Sequence, residues 1–235
     1  FQQGDTVLVP NPGYPTYSSA VKLSGAMPVY FDLLEKNNYQ PDLAQLKELS
    51  NAKAIFLNYP HMPAGASMDM QTMKAVIDWA TENNILIIHD NPYSFILNET
   101  PQSLLSIDGA KNVVIELNSL SKSHNMAGWR IGMLCAAKEK VNEVLRFKSN
   151  MDSGMFLPVQ LAAAKALTLG KEWHDEVNAI YSERREKVYA MLDILGCSYS
   201  KKQAGLFIWA SVPAMYEDGY ALCDKILYHK NVFIT

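Results

Sequence analysis

The chain has 235 residues, 49% of them hydrophobic and 19% charged, which is enough to bury a core and excludes a disordered chain. Its net charge of −3, with no basic run, argues against nucleic-acid binding, and no apolar stretch approaches the roughly 20 residues of a membrane helix. The cysteines (Cys135, Cys197, Cys223) are scattered and lack C-x-x-C spacing, which fits a reducing cytoplasm; the histidines are unclustered, so no metal site is expected.

The first residues, Phe1-Gln-Gln-Gly-Asp, carry no initiator Met and no signal peptide. The last, Val232 to Thr235, read as a strand that stops midway, so both ends are expected to be cut from a longer protein. Between them, Asp5 to Pro10 reads as a buried strand, Asn11 to Pro15 as a Pro/Gly turn and Thr16 to Leu23 as a helix. Met27 to Asp32 is a second strand, and Pro41 to Leu49 a short helix with Leu43 and Leu46 inward. Lys53 to Tyr59 is a strongly apolar strand running into the turn Pro60 to Gly65. Ser67 can cap the next helix, with Asp69 favourable in its first turn, and Met70, Met73, Val76, Ile77 and Ala80 form its apolar face.

Ile85 to Asp90 is a buried strand, a helix or loop follows near Ser103 to Ile107, and Asn112 to Leu117 is another strand. A loop carries Ser119 to Arg130, and a strand follows from Ile131 to Ala136. Helices are expected at Lys138 to Ser149, Pro158 to Leu169 and Glu172 to Leu195, then strands at Gly205 to Ala210 and Val232 to Thr235 around a helix near Tyr220 to Tyr228. Alternating helices and continuously apolar strands mean an α/β fold, with a mostly parallel sheet covered on both faces. Residues 1–170 are expected to form a large domain, and 171–235 a linking helix and the start of a smaller α+β domain.

The chemistry concentrates after the strand that ends at Leu117. Ser119, Ser121 and Arg130 can hydrogen-bond a phosphate, Arg130 through its planar fork. Lys122 can condense with an aldehyde once its amine is deprotonated, and Arg130 is a nearby cation that favours that loss. An aldehyde joined to a phosphate describes pyridoxal phosphate, which proteins hold with a Lys Schiff base and an Asp on the pyridine nitrogen. Asp90, at the carboxyl end of a buried strand, is placed for that nitrogen, and Tyr93 for the phenolic oxygen. Taken singly, each has a plainer explanation: a surface lysine, an Asx turn, a packed tyrosine.

Several segments, in order, resemble the fold type I pyridoxal-phosphate enzymes, and specifically the class I/II aminotransferases. Gly4 to Tyr17 is similar to "GD.VL.P.PGYP.Y", Asn58 to Gly65 to "NYPHNPTG", and Asp90 to Tyr93 to "D-x-x-Y". Ser119 to Lys122 with Gly128 to Gly132 is similar to "S.SK…G.R.G", and Gln203 to Trp209 to "GG.F.W". The resemblance implies a mostly parallel, seven-stranded-type sheet in the large domain. It implies that Lys122 forms the Schiff base and moves a proton between the substrate Cα and the cofactor C4′. It places Asp90 on the ring nitrogen, Tyr93 on the phenolic oxygen, Tyr14 on the ring face, and Ser119, Ser121 and Arg130 on the phosphate. It implies amino acid and 2-oxo acid substrates and a homodimer.

Two departures matter. Met62 stands where the family has an Asn that donates to the phenolic oxygen, and Asn58 and Asn91 are the nearby polar candidates to replace it. The family's upstream glycine-containing phosphate loop, a partner-subunit Tyr and a C-terminal substrate-binding Arg also find no counterpart, so activity is expected of the intact protein. Three other readings share the motifs. One is a β-lyase of sulfur amino acids. Another is a cofactor-sensing domain of a transcription regulator, which would need a DNA-binding module upstream. The third is a paralogue that keeps the fold without the chemistry.

Overall fold

The computed structural model describes residues 1–234. It begins with β1 (Thr6–Asn11), α1 (Pro15–Leu23) and β2 (Met27–Asp32), followed by the short helix α2 (Leu43–Glu48) and β3 (Ala54–Asn58). Next come α3 (Met70–Glu82), β4 (Leu86–Asp90), β5 (Val114–Ser119), the single turn α4 (Leu120–Ser123) and β6 (Gly132–Ala136). Three helices follow, α5 (Lys138–Met151), α6 (Leu157–Ala166) and α7 (Lys171–Leu195). The described residues end with β7 (Ser198–Tyr199), β8 (Ala210–Ser211) and α8 (Gly219–Lys230).

The main sheet has six strands in the order β2-β1-β3-β4-β5-β6, so no seventh strand joins it among the described residues. All pairings are parallel except β5 with β6. The stretch from Leu120 to Ile131 holds one helical turn and a 3-10 turn instead of a crossover helix, and β6 returns antiparallel. Both faces of the central strands are apolar, as a covered sheet requires. On one face α1 presents Tyr17 and Val21 to Val7, Val9, Ala54 and Phe56. On the other, Leu46 of α2 and Met73, Val76, Ile77 and Ala80 of α3 pack with Leu8, Ile55, Leu57 and Ile87.

Several local expectations change. The N-cap of α3 is Asp69, not Ser67: its carboxylate accepts from Thr72 N at 2.7 Å. Met70 is 52% exposed, because it sits at the first helical position, outside the buried stripe. Ser119 to Arg130 is not a plain loop; Ser119 caps α4, and a 3-10 turn spans Ala127–Trp129. Gly205 to Ala210 is not one strand. Gly205 lies at φ +83°, and the backbone of this stretch donates from Ala204 N to Gly65 O (2.7 Å) and from Gly205 N to Ile96 O (2.9 Å). Only Ala210–Ser211 pairs, with β7, which the sequence pattern missed. Residues 232–234 carry no strand, and Thr235 lies outside the described residues. Among the described residues no helix is long and apolar enough to cross a membrane.

Candidate active site

The sheet delivers its polar residues to one edge. Asn58, Asp90 and Ser119 close β3, β4 and β5, and Arg130 lies just before β6, which starts at the same edge because it runs the opposite way. Parallel pairing sets Asn58 level with Asp90 and Asp90 level with Leu117, all on the α1 face. Lys122 lies on α4, the one turn that continues from β5. The expected groups thus share a single crevice edge, where open α/β sheets take their ligands.

Asp90 is half-buried, and its Oδ2 accepts a hydrogen bond from the Tyr17 hydroxyl at 2.7 Å. Burial pushes the Asp90 carboxyl above its usual value; the Tyr17 hydrogen bond and the His89 ring oppose that rise. Burial, and then the Asp90 charge, push the Tyr17 hydroxyl far above the usual tyrosine range, so it remains a donor. Tyr93 is also buried; burial first, then Asp90, raise its hydroxyl to about 12. Among the described residues that hydroxyl donates only to the Met62 sulfur, at 3.6 Å. A thioether is a weak acceptor, so the Tyr93 proton is open to a better one.

The two asparagines considered as substitutes for the missing amide are engaged elsewhere. Asn58 Nδ2 donates to Asp90 O (2.8 Å) and its Oδ1 accepts from Met62 N (2.8 Å), which braces the turn against β4. Asn91 Nδ2 donates to Gln102 O (3.0 Å) and reaches Glu116 Oε1 at 3.4 Å, on the far side of the sheet.

Ser119 Oγ accepts from Ser121 N at 3.1 Å, so its hydroxyl proton is available outward. Ser121 is half-buried on the same turn. Arg130 is exposed, and its Nη1 donates to Ala127 O at 2.8 Å, which folds the guanidinium back over its own loop. Its backbone is left-handed at φ +52°, a conformation that costs a non-glycine residue about 1 kcal/mol. Gly132 must lack a side chain, since a Cβ there would stand 2.7 Å from Asn118 O. Tyr14 is 44% exposed at the mouth, its ring edge-on to Tyr17 with centroids 5.6 Å apart.

Helix α7 ties the two loops together. Trp173 Nε1 donates to Ser123 O (3.1 Å), beside Lys122, while Asn178 pairs with Leu97 N (2.8 Å) and Phe95 O (3.0 Å), beyond Tyr93.

The sequence pattern also missed a buried polar cluster on the opposite face. Glu116, 4% exposed, accepts from Ser103 Oγ (2.7 Å), from Asn118 Nδ2 (3.2 Å) and from the His89 ring at 3.1 Å. His89 and Glu116 are direct cross-strand partners, so the pair fastens β4 to β5 behind Asp90. Burial alone would raise the Glu116 carboxyl, but the His89 hydrogen bond and charge, with Ser103 and Asn91, outweigh it and hold it below the usual value of 4.5.

The donor set fits pyridoxal phosphate: a carboxylate with one oxygen engaged, a buried phenol with only a thioether partner, a lysine, two serines and an arginine at one edge.

Comparison with known proteins points the same way. The family model described as aminotransferase class I and II matches residues 1–235. An LL-diaminopimelate aminotransferase of Dehalococcoides mccartyi is 41% identical over 236 aligned residues, covering 99% of this chain and 61% of the relative. One from Aquifex aeolicus is 40% identical over 217 residues, covering 91% of this chain and 56% of its own length. The substrate-bound BacF structure from Bacillus subtilis superposes with a TM-score of 0.94 at 35% identity, covering 100% of this chain and 61% of that one. The chain therefore spans about three fifths of the relatives it matches.

Because the depressed Glu116 carboxyl stabilises the fold above its unfolded value of 4.5, that contribution is lost as pH falls below about 4.5. Acid unfolding followed by circular dichroism should show this limb, and Glu116→Gln should flatten it. An unchanged acid limb in the variant would contradict the assignment.

Proposed function

We propose, from the premise that this chain belongs to the class I and II aminotransferases, that the protein carrying it moves an amino group between an amino acid and a 2-oxo acid with pyridoxal phosphate. The observation that carries the proposal is the convergence of Asp90, Tyr93, Ser119, Lys122 and Arg130 on one sheet edge, reached from three neighbouring strands and their loops. When bound, the cofactor supplies an aldehyde that condenses with amines and a ring that accepts electrons from the substrate Cα.

The chain's residues divide that work. Lys122 Nζ would hold the cofactor aldehyde and would move the proton at the substrate Cα. Asp90 would place a negative charge at the ring nitrogen. Tyr93, whose hydroxyl meets the weakly accepting Met62 sulfur, would donate to the phenolic oxygen. Ser119, Ser121 and Arg130 grip the phosphate, Arg130 with the guanidinium edges that Ala127 leaves free. Tyr14 covers the ring face at the mouth.

Residues 1–170 are the cofactor-binding large domain, and 171–235 are a linking helix and the start of a smaller domain. The exposed apolar side chains Phe147, Met151, Phe156, Leu157 and Leu161 on and between α5 and α6 support burial against a second copy, as a homodimer. Three free thiols support a cytoplasmic setting. The 40–41% relatives make LL-diaminopimelate the first amino donor to assay.

The test is transfer of amino groups to 2-oxoglutarate by the full-length protein, monitored as glutamate formed, with aspartate, alanine and aromatic donors in parallel. Lys122→Ala should lower the rate at least about 10²-fold, the scale of losing a positioned general base. Pyruvate and ammonia released from cystathionine without an oxo-acid acceptor would instead identify a β-lyase. Met62→Asn restores a donor beside Tyr93 and should tighten cofactor binding by up to about tenfold, one net hydrogen bond. Fluorescence titration with pyridoxal phosphate reads this, and weaker binding would contradict the role given to Met62.

A further inference from the structure

We propose that Tyr17 is a positioning residue for the ring-nitrogen partner: by donating to Oδ2 of Asp90 it turns Oδ1 toward the cofactor and keeps the shared proton on the pyridine nitrogen. The inference rests on the role given to Asp90 above and adds a residue that acts through that carboxylate.

The geometry is specific. Tyr17 lies on the buried face of α1, 5% exposed, 73 positions before the carboxylate it contacts at 2.7 Å. Its ring is fixed on both sides. It stacks on Phe56 of β3 with centroids 4.8 Å apart and planes 12° apart, and Tyr14 meets it edge-on at 82°. The hydroxyl therefore has one direction, and that direction is Asp90. Because burial and the Asp90 charge suppress its ionisation, it keeps the proton that it donates to Asp90. Among the described residues no other side chain hydrogen-bonds the Asp90 carboxylate.

A carboxylate and a pyridinium nitrogen share a single proton, and the basicity of the carboxylate decides which atom holds it. Burial makes Asp90 more basic and Tyr17 makes it less so. Without the Tyr17 donor, the N–H bond of the ring breaks and an O–H bond forms on Asp90. No electron is gained or lost, and the pair becomes neutral. A neutral ring nitrogen is a poorer electron sink, so removal of the substrate Cα proton slows while substrate binding is little altered. If Tyr17 served only to pack α1 on the sheet, phenylalanine would replace it without consequence.

The test uses full-length protein loaded with pyridoxal phosphate labelled with ¹⁵N at the ring nitrogen. The NMR shift of that nitrogen is compared in the parent protein, in Tyr17→Phe and in Asp90→Asn, which marks the unprotonated ring. Tyr17→Phe should move the shift toward the Asp90→Asn value. Its kcat should fall by roughly ten- to a hundredfold, the effect of losing one hydrogen bond to a charged group, with KM changed by less than about twofold. A Tyr17→Phe shift that coincides with the parent's, with kcat unchanged, overturns the inference alone. A parent protein that binds no cofactor overturns the reading of the whole site and this inference with it. Should Tyr17→Phe fail to fold, 4-fluorophenylalanine in place of Tyr17 fills the hydroxyl's space without donating. The same shift is expected of it, and its absence overturns the inference.

Discussion

Parallel pairing of β3, β4 and β5 sets Asn58, Asp90 and Leu117 in one row, and the site hangs from that row. Side chains alternate along a strand, so a slip of one residue in β4 would carry Asp90 to the far face and bring His89 to the near one. The polar end of the strand opposes the slip, which would part Asp90 from Tyr17 and His89 from Glu116. Ile87 packs with the α2 and α3 side and Leu86 and Ile88 with the α1 side, apolar on both, so the polar residues at the strand end distinguish the two registers. Register thus does the first part of the chemistry, by deciding which carboxylate faces the ligand crevice.

Polar contacts refine what the register sets. On one face Tyr17 fixes the Asp90 carboxylate, and Asn58 joins the β4 end to the Met62 turn. On the other face the His89–Glu116 pair, with Ser103 and Asn118, fills a buried polar layer that would be costly if any donor lost its acceptor. Helix α7 then holds the Tyr93 loop and the Lys122 turn together through Asn178 and Trp173. Groups meant to meet one small ligand from different loops need such bracing, because small misplacements cost large factors in rate.

Most of the sheet was legible in the chain because apolar strands ending in Pro, Gly or Asp carry a strong local signal, and β2 and β4 fall within a residue of where the pattern puts them. The candidate site was legible through its motifs: Asp90 ends β4, Tyr93 follows three residues on, and Lys122 lies just after β5. Long-range partnership was not. Tyr17 reads as an ordinary inward residue of α1, and nothing local tells it to meet a carboxylate 73 positions away. Glu116 sits in an apolar strand whose pattern gives no hint of its four donors, although a carboxylate amid Val114, Ile115 and Leu117 was the available signal. Asn58 and Asn91 were visible as polar residues, but only the fold shows that both are engaged elsewhere. The Gly205 stretch misled because its apolar alternation resembles a strand, while its backbone serves two loops instead.

The most direct test of the central claim is covalent mapping. The chain is mixed with pyridoxal phosphate, its visible spectrum recorded, the adduct reduced with borohydride and the digest analysed by mass. The account predicts a yellow species whose reduced cofactor lies on the peptide holding Lys122. Label spread over exposed lysines such as Lys74 and Lys171, with none on Lys122 here or in the full-length protein, would contradict it.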